Sequence, residues 1–252
     1  MSSPGHSARK IADSHYFSRA FGALVLLGVC LVAMQLIPAL VGMDKSSRSR
    51  GKEPHGIATD CITGLIGIGG LLMLVQLISR VVIGFAEAHR EMEQKAVRGA
   101  KAEDKVGKLL ETLPANCKVF HDVDTGRGDI DHIILSSDKG VILIETKAHG
   151  GTVTVEHGRL LINDRLPEKD FIAQTLRNAV WLRQRIQETT QLDVWIQPII
   201  VFTNAFVKEW EPIRNVRLRN IKYLLSAVEE TRANRSVAAA LWDLHRQGRR
   251  LF

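Results

Sequence analysis

Residues 129–135 read DIDHIIL and residues 140–147 read GVILIETK, with SSDK between them. Both runs are short, rich in β-branched residues and bounded by turn formers, so both are predicted strands. Their apolar density predicts burial on both faces, hence a central place in a sheet. A tight turn over residues 137–139, with Gly140 supplying a positive φ, pairs Ser136 with Gly140. Counting outward brings Ile133 opposite Leu143 and Asp131 opposite Glu145. The two-residue period then puts Asp131, Glu145 and Lys147 on one face at the open end of the hairpin.

Two carboxylates directly opposite on paired strands lie about 5 Å apart at Cβ. Without a cation they repel, and each resists leaving water. A divalent cation shared between Asp131 and Glu145 resolves the conflict, and hard carboxylate oxygens suit Mg²⁺ or Mn²⁺. Lys147, on the same face, can hold or polarise an attacking water beside the metal. The alternative is a solvated strand end at which one lysine neutralises two acids. Asp129 shares the face but would stand opposite Lys147, so Asp131 is preferred. Asp122 and Asp124 are expected in solvent, and His132 on the opposite face.

Upstream, residues 101–113 read as a helix stopped by Pro114. Its stripe of Val106, Leu109, Leu110 and Leu113 also carries Glu103, and an inward carboxylate calls for a partner or a metal, the alternative being a first turn frayed toward water. Gly107, on that stripe, would admit another backbone. Downstream, residues 152–155 and 159–163 are predicted as a separate small hairpin. A helix follows over residues 170–189 with a stripe of Ile172, Thr175, Leu176, Ala179, Leu182 and Ile186. Gln174, Asn178, Trp181 and Arg185 form a second face, either solvated or the rim of the site. Residues 194–203 are a buried strand in which Pro198 argues for an edge or a bulge. Helices over 221–231 and 235–246 close the chain. The order predicts an α/β sandwich around a mixed sheet.

The first third is different. Residues 20–43 and 61–79 contain no ionisable side chain, and each run is long enough to cross a bilayer. Arg80 interrupts the second run, which resumes to residue 85; an arginine near a helix end can snorkel. The expected division is a cytoplasmic N-terminal segment (1–19), a transmembrane hairpin (20–86, spans 20–43 and 61–85), a helical linker (87–100) and a nuclease-like domain (101–252). Lys and Arg on the two flanks outnumber Lys45, Arg48, Arg50 and Lys52 of the loop, which favours cytoplasmic termini in the inner membrane. The whole chain of 252 residues carries a formal charge of +7 with 45% hydrophobic residues, a globular composition that excludes general disorder. Cys30, Cys61 and Cys117 lie far apart, which excludes a disulfide scaffold and a cysteine-based zinc site. No Gly-rich phosphate loop, GxSxG or HExxH is present.

The segments GAKAE (99–103), LETLP (110–114), DIDHIIL, GVILIETK and the Gly150–Gly151 pair together resemble the nuclease-related domain, or NERD domain, a branch of the PD-(D/E)XK nuclease superfamily. The resemblance covers about residues 97–230. It implies a restriction-endonuclease-like mixed sheet flanked by helices. It implies that Asp131 and Glu145 bind Mg²⁺ or Mn²⁺, that Glu103 completes the ligand set, that Lys147 acts with the nucleophilic water and that Gln174 orients part of the site. Ala102 stands where such families usually have a glycine. The expected activity is metal-dependent hydrolysis of phosphodiester bonds, with DNA as the expected substrate. Arg127, Arg177, Arg183 and Arg185 are expected near the cleft. The competing reading is a non-catalytic membrane module that uses Arg217, Arg219, Lys222 and the basic tail to bind nucleic acid or protein.

Overall fold

The computed structural model describes residues 54–209 and 211–252, with side chains from residue 69 onward apart from 71 and 72. The chain divides into a unit ending at Lys95 and one beginning at Ala96.

The predicted first span, 20–43, lies outside the described residues. The second, 61–85, is helical throughout but belongs to a longer element: α1, Pro54–Leu110, runs without a break through the expected loop end, the linker and the first domain helix. The three expected pieces fuse because no proline follows Pro54 until Pro114 and isolated glycines such as Gly99 only weaken a helix. Pro54 opens it, the position at which a missing N–H costs nothing. The helix ends at Leu110 rather than residue 113, with Leu113 N–H turning back to the Leu110 carbonyl. Met73, Leu77 and Phe85 on α1 are 76%, 61% and 77% exposed. Among the described residues no helix is long and apolar enough to cross a membrane, and the expected transmembrane hairpin is not seen there.

From Ala96 onward the chain is a six-stranded mixed sheet between helices. The strands are β1 (Cys117–Asp124), β2 (Asp129–Ser136), β3 (Gly140–Glu156), β4 (Arg159–Ile162), β5 (Ile196–Val207) and β6 (Arg217–Asn220). The order is β1-β2-β3-β5-β6, with β4 paired to the far half of β3. The β1–β2–β3 meander is antiparallel, while β5 and β6 add in parallel. Register follows the turn: Ser136 faces Gly140 and Ile133 faces Leu143, with Gly140 at φ 74°.

Alternation along β2 and β3 feeds two cores. Ile133, Leu135, Val141 and Leu143 pack with Leu182 and Ile186 of α2 (Phe171–Thr190) and Leu241 of α4 (Arg235–Arg246). Ile134, Ile142 and Ile144 pack on the other face with Val106 and Leu110 of α1 and Leu224 and Val228 of α3 (Leu224–Glu229). Burial on both sides is why these strands read as near-continuous apolar runs.

Two expectations are corrected, and the edge expected at Pro198 is found on its β6 side. The small hairpin is not separate: its first strand is the continuation of β3, which bends where the register shifts between Lys147 and Gly150. Pro198 lies inside the sheet, opposite Leu143 of β3. It is tolerated because the β6 ladder begins one residue later, at Ile199, and its carbonyl accepts from Gln197 Nε2 instead. Finally, β6 escaped detection because RLRN reads as polar, yet Leu218 is wholly buried. Arg217 and Arg219, expected as free basic residues, brace this edge. Arg217 donates to the Ala227 carbonyl at 3.0 Å and to Thr231 Oγ1 at 3.3 Å. Arg219 is 7% exposed and donates to the Leu218 carbonyl.

Gly151, just after the bend, sits at φ 92°, and a Cβ there would collide with Asn163 Oδ1. That oxygen accepts from Thr152 N–H. Gly151→Ala therefore combines a left-handed backbone with a lost hydrogen bond and is expected to cost about 2–3 kcal/mol, read as a lowered denaturation midpoint with unchanged slope.

Candidate active site

The β2–β3 ladder ends at the His132–Ile144 rung. One residue further out, the Asp131 side chain takes over from the main chain: its Oδ2 accepts from the Thr146 backbone N–H at 2.5 Å. Glu145, on β3, is 2% exposed. Its Oε1 accepts from Lys147 Nζ at 2.7 Å and from Gln174 Nε2 at 2.9 Å. Its Oε2 is buried and has no hydrogen-bond partner among the described residues. An ionised oxygen without a donor in such a place is costly; it is the feature a bound cation would satisfy.

The rest of the wall comes from α2. Asp170 caps this helix, accepting from Ala173 N–H at 2.9 Å, which sets the first turn against the sheet. Phe171 then offers its ring to the Lys147 ammonium, 4.6 Å from the centroid, and stacks obliquely with His149. Gln174 follows one turn on. It lies off the main apolar stripe, and it is this second face that meets Glu145.

Charge is unbalanced here. Burial pushes the Asp131 carboxyl well above its usual range, and the nearby Glu145 and Glu103 charges add to this; the Thr146 N–H and Lys147 oppose it. Glu103 on α1 is also raised, by burial first and then by Asp122, Glu145 and Asp129, with Lys147 opposing. Glu103, Asp131 and Glu145 thus feel one another. Even so, no group of three His, Cys, Asp or Glu among the described residues stands close enough to hold an ion together. Asp131 Oδ2 and Glu145 Oε1 are committed to Thr146, Lys147 and Gln174.

Asp122 was expected in solvent only. It is exposed, but it occupies the rung of β1 facing Asp131, between the His121–His132 and Val123–Ile130 pairs, where the ladder is interrupted. It does so at φ 52°, a conformation that costs a non-glycine residue about 1 kcal/mol or more, and its charge is the largest neighbouring influence on Glu103. The sequence signal was an aspartate within a strand-like run, KVFHDV. Not every arginine expected near the cleft is free to serve it. Arg183 is clamped by Asp193 at 2.7 and 2.8 Å and lines a surface cavity of about 250 Å³ beside Gly140, where β3 begins. Arg185 leans toward Glu188. Arg127 and Arg177 are exposed.

Residues 98–203 match the family described as NERD, nuclease-related domain. The match takes in Glu103, Asp131, Glu145, Lys147 and Gln174 and supports a nuclease-related function. No curated protein and no solved structure matches the chain.

Within the matched region the desolvated Asp131 charge opposes folding of the metal-free chain. A carboxyl raised in the folded state contributes full stability below its ordinary titration range, and that contribution is lost as pH rises through the raised value. Asp131→Asn removes the charge. In EDTA its melting temperature is expected to exceed that of the wild type by several degrees at about pH 8, with the gap closing toward about pH 4. A gap independent of pH contradicts the burial of this charge.

Proposed function

We propose that the chain is a membrane-anchored, metal-dependent nuclease that hydrolyses phosphodiester bonds in nucleic acid, with DNA as the substrate. The observation that carries this is Glu145: one oxygen is held by Lys147 and Gln174 while the other is buried and bare. Asp131 and Glu145 would hold the cation, and their all-oxygen character fits Mg²⁺ or Mn²⁺; Glu103 would complete the ligand set. When bound, the cation supplies Lewis-acid chemistry at a phosphoryl oxygen.

The chain's own groups do the rest. The Lys147 ammonium, paired with Glu145 and set against the Phe171 ring, is placed to hold an attacking water or to meet charge building on the phosphate. Gln174 keeps its hydrogen bond to Glu145 Oε1 when Lys147 turns to substrate, so the carboxylate stays oriented. Arg127 and Arg177 are available to the phosphate backbone.

Anchoring is supported by the charge-free run over residues 20–43 and by the exposed apolar side chains of α1, Met73, Leu77 and Phe85; a cytoplasmic nuclease domain at the inner membrane fits the Lys and Arg distribution. A non-catalytic binding module on the same fold is the second reading; among the described residues no three such ligands are gathered. The deciding experiment incubates the purified chain with labelled DNA and RNA in Mg²⁺, Mn²⁺ or EDTA. Metal-dependent cleavage that disappears in Asp131→Ala supports the nuclease; binding without turnover in every metal supports the module.

A further inference from the structure

Residues 246–252 read RQGRRLF, and the structure folds this segment back onto the domain. Gly248 follows α4 at φ 81°. Its N–H donates to the His245 carbonyl at 2.9 Å and the Arg249 N–H donates to the Leu244 carbonyl at 3.1 Å, the paired hydrogen bonds of a glycine helix stop. The reversal carries Leu251 into the core that holds Leu182, Ile186 and Leu241, where it is 3% exposed. Its carbonyl accepts from Thr189 Oγ1 of α2 at 2.9 Å. Phe252 sets its ring edge-on against Phe120 of β1, with centroids 4.8 Å apart and planes at 79°. His245 meets the same ring at 5.4 Å and 76°. Both apolar side chains of the segment are therefore occupied within the fold.

What remains outside is positive charge. Arg246, Arg249 and Arg250 are exposed, and so is Lys118, which shares a face of β1 with Phe120. Among the described residues no carboxylate pairs with any of these four cations; Glu188, next to Thr189 on α2, leans toward Arg185 instead. Arg250 Nε donates to the Phe252 carbonyl at 3.0 Å, which ties its guanidinium to the docked residues. Cations gathered on one surface without counter-charge attract a polyanion.

The position of the patch indicates which polyanion. Phe120 stands two residues, about 7 Å of strand, before Asp122, and Asp122 occupies the rung facing Asp131. A bilayer surface would draw on apolar side chains inserted at the headgroup level, and Leu251 and Phe252 are turned the other way. We infer that residues 246–252, folded back onto Phe120, form with Lys118 a contact for the phosphate backbone of a nucleic-acid strand that passes the acids of β1–β3. For its ligand this rests on the nuclease reading. Such a contact holds phosphate and carries no base information, so it acts on Kd and KM and leaves kcat alone.

The test compares two double variants of the full chain: Arg249→Gln with Arg250→Gln, and, beside the opposite end of α4, Arg232→Gln with Arg235→Gln. Each is first shown to keep the wild-type Tm. Binding of a fluorescent single-stranded oligonucleotide of mixed sequence is then measured in EDTA over a series of KCl concentrations. The first pair is expected to weaken binding about tenfold and to flatten the dependence of log K on log[KCl] by about 1–1.5; the second pair is expected to change neither. Equal salt slopes in the wild type and Arg249→Gln/Arg250→Gln overturn the contact. Equal effects of the two pairs also overturn it, since they would report net charge alone. Binding to phosphatidylserine vesicles that is lost in the first pair, with oligonucleotide binding intact, assigns the patch to a lipid surface and overturns it as well. Metal-dependent cleavage by the wild type alongside any of these results leaves the nuclease reading standing without this contact. A wild type that neither binds nor cuts the oligonucleotide sinks both.

Discussion

On the proposed nuclease function, Lys147→Met is expected to lower kcat for DNA cleavage by about 10²–10³ while leaving KM nearly unchanged, because the ammonium would meet charge that develops only in the transition state. The same substitution should act on stability in a way that exposes the site. Lys147 Nζ and Glu145 Oε1 form a 2.7 Å pair whose side chains are 14% and 3% exposed. Removing one partner of so enclosed a pair costs about 3 kcal/mol, since the remaining charge is stranded. A divalent cation can stand in for the missing charge. The Mg²⁺-induced rise in Tm should therefore be larger in Lys147→Met than in the wild type. Equal rises in the two proteins would mean that the cation does not bind at Glu145.

Glu145→Gln is expected to abolish cleavage, by about 10³-fold or more, through loss of the oxygen that would face the cation. It should also remove the Mn²⁺ titration signal. Unlike Asp131→Asn, it should not stabilise the metal-free chain, because it removes the charged partner that holds the Lys147 ammonium at 2.7 Å. Opposite stability effects from two carboxylates on neighbouring strands distinguish a salt-bridged acid from one held against its solvation. Retained Mg²⁺-dependent cleavage in Glu145→Gln would place the chemistry elsewhere in the domain.

How much of this was legible beforehand depends on where the information lies. Residues 129–147 specify their own pairing, because the turn fixes the register and the two-residue period fixes the faces. That is why the opposition of Ile133 to Leu143 could be counted from sequence. Gln174 was harder. A helical wheel ranks faces by apolarity, and the face that meets Glu145 is mixed. Asp122 was missed because its importance comes from a strained rung in β1, set by the neighbouring strand. Arg217 and Arg219 misled because isolated basic residues look solvated until the β6 edge they brace is known.

The sequence by itself determined the local quantities: the β2–β3 hairpin, the stripe of α2, the acids and the lysine placed near its open end, and the long charge-free run before the domain. Only the tertiary structure decided that α1 is one helix, that β3 bends through both hairpins and that β6 closes the parallel edge. Likewise it alone brought Gln174 to Glu145, His121 to His132 and Glu103 within reach of the sheet acids. Periodicity and turn chemistry are short-range and can be counted along the chain. Which charge is left without a partner depends on segments far apart in sequence, and it is settled only when they pack.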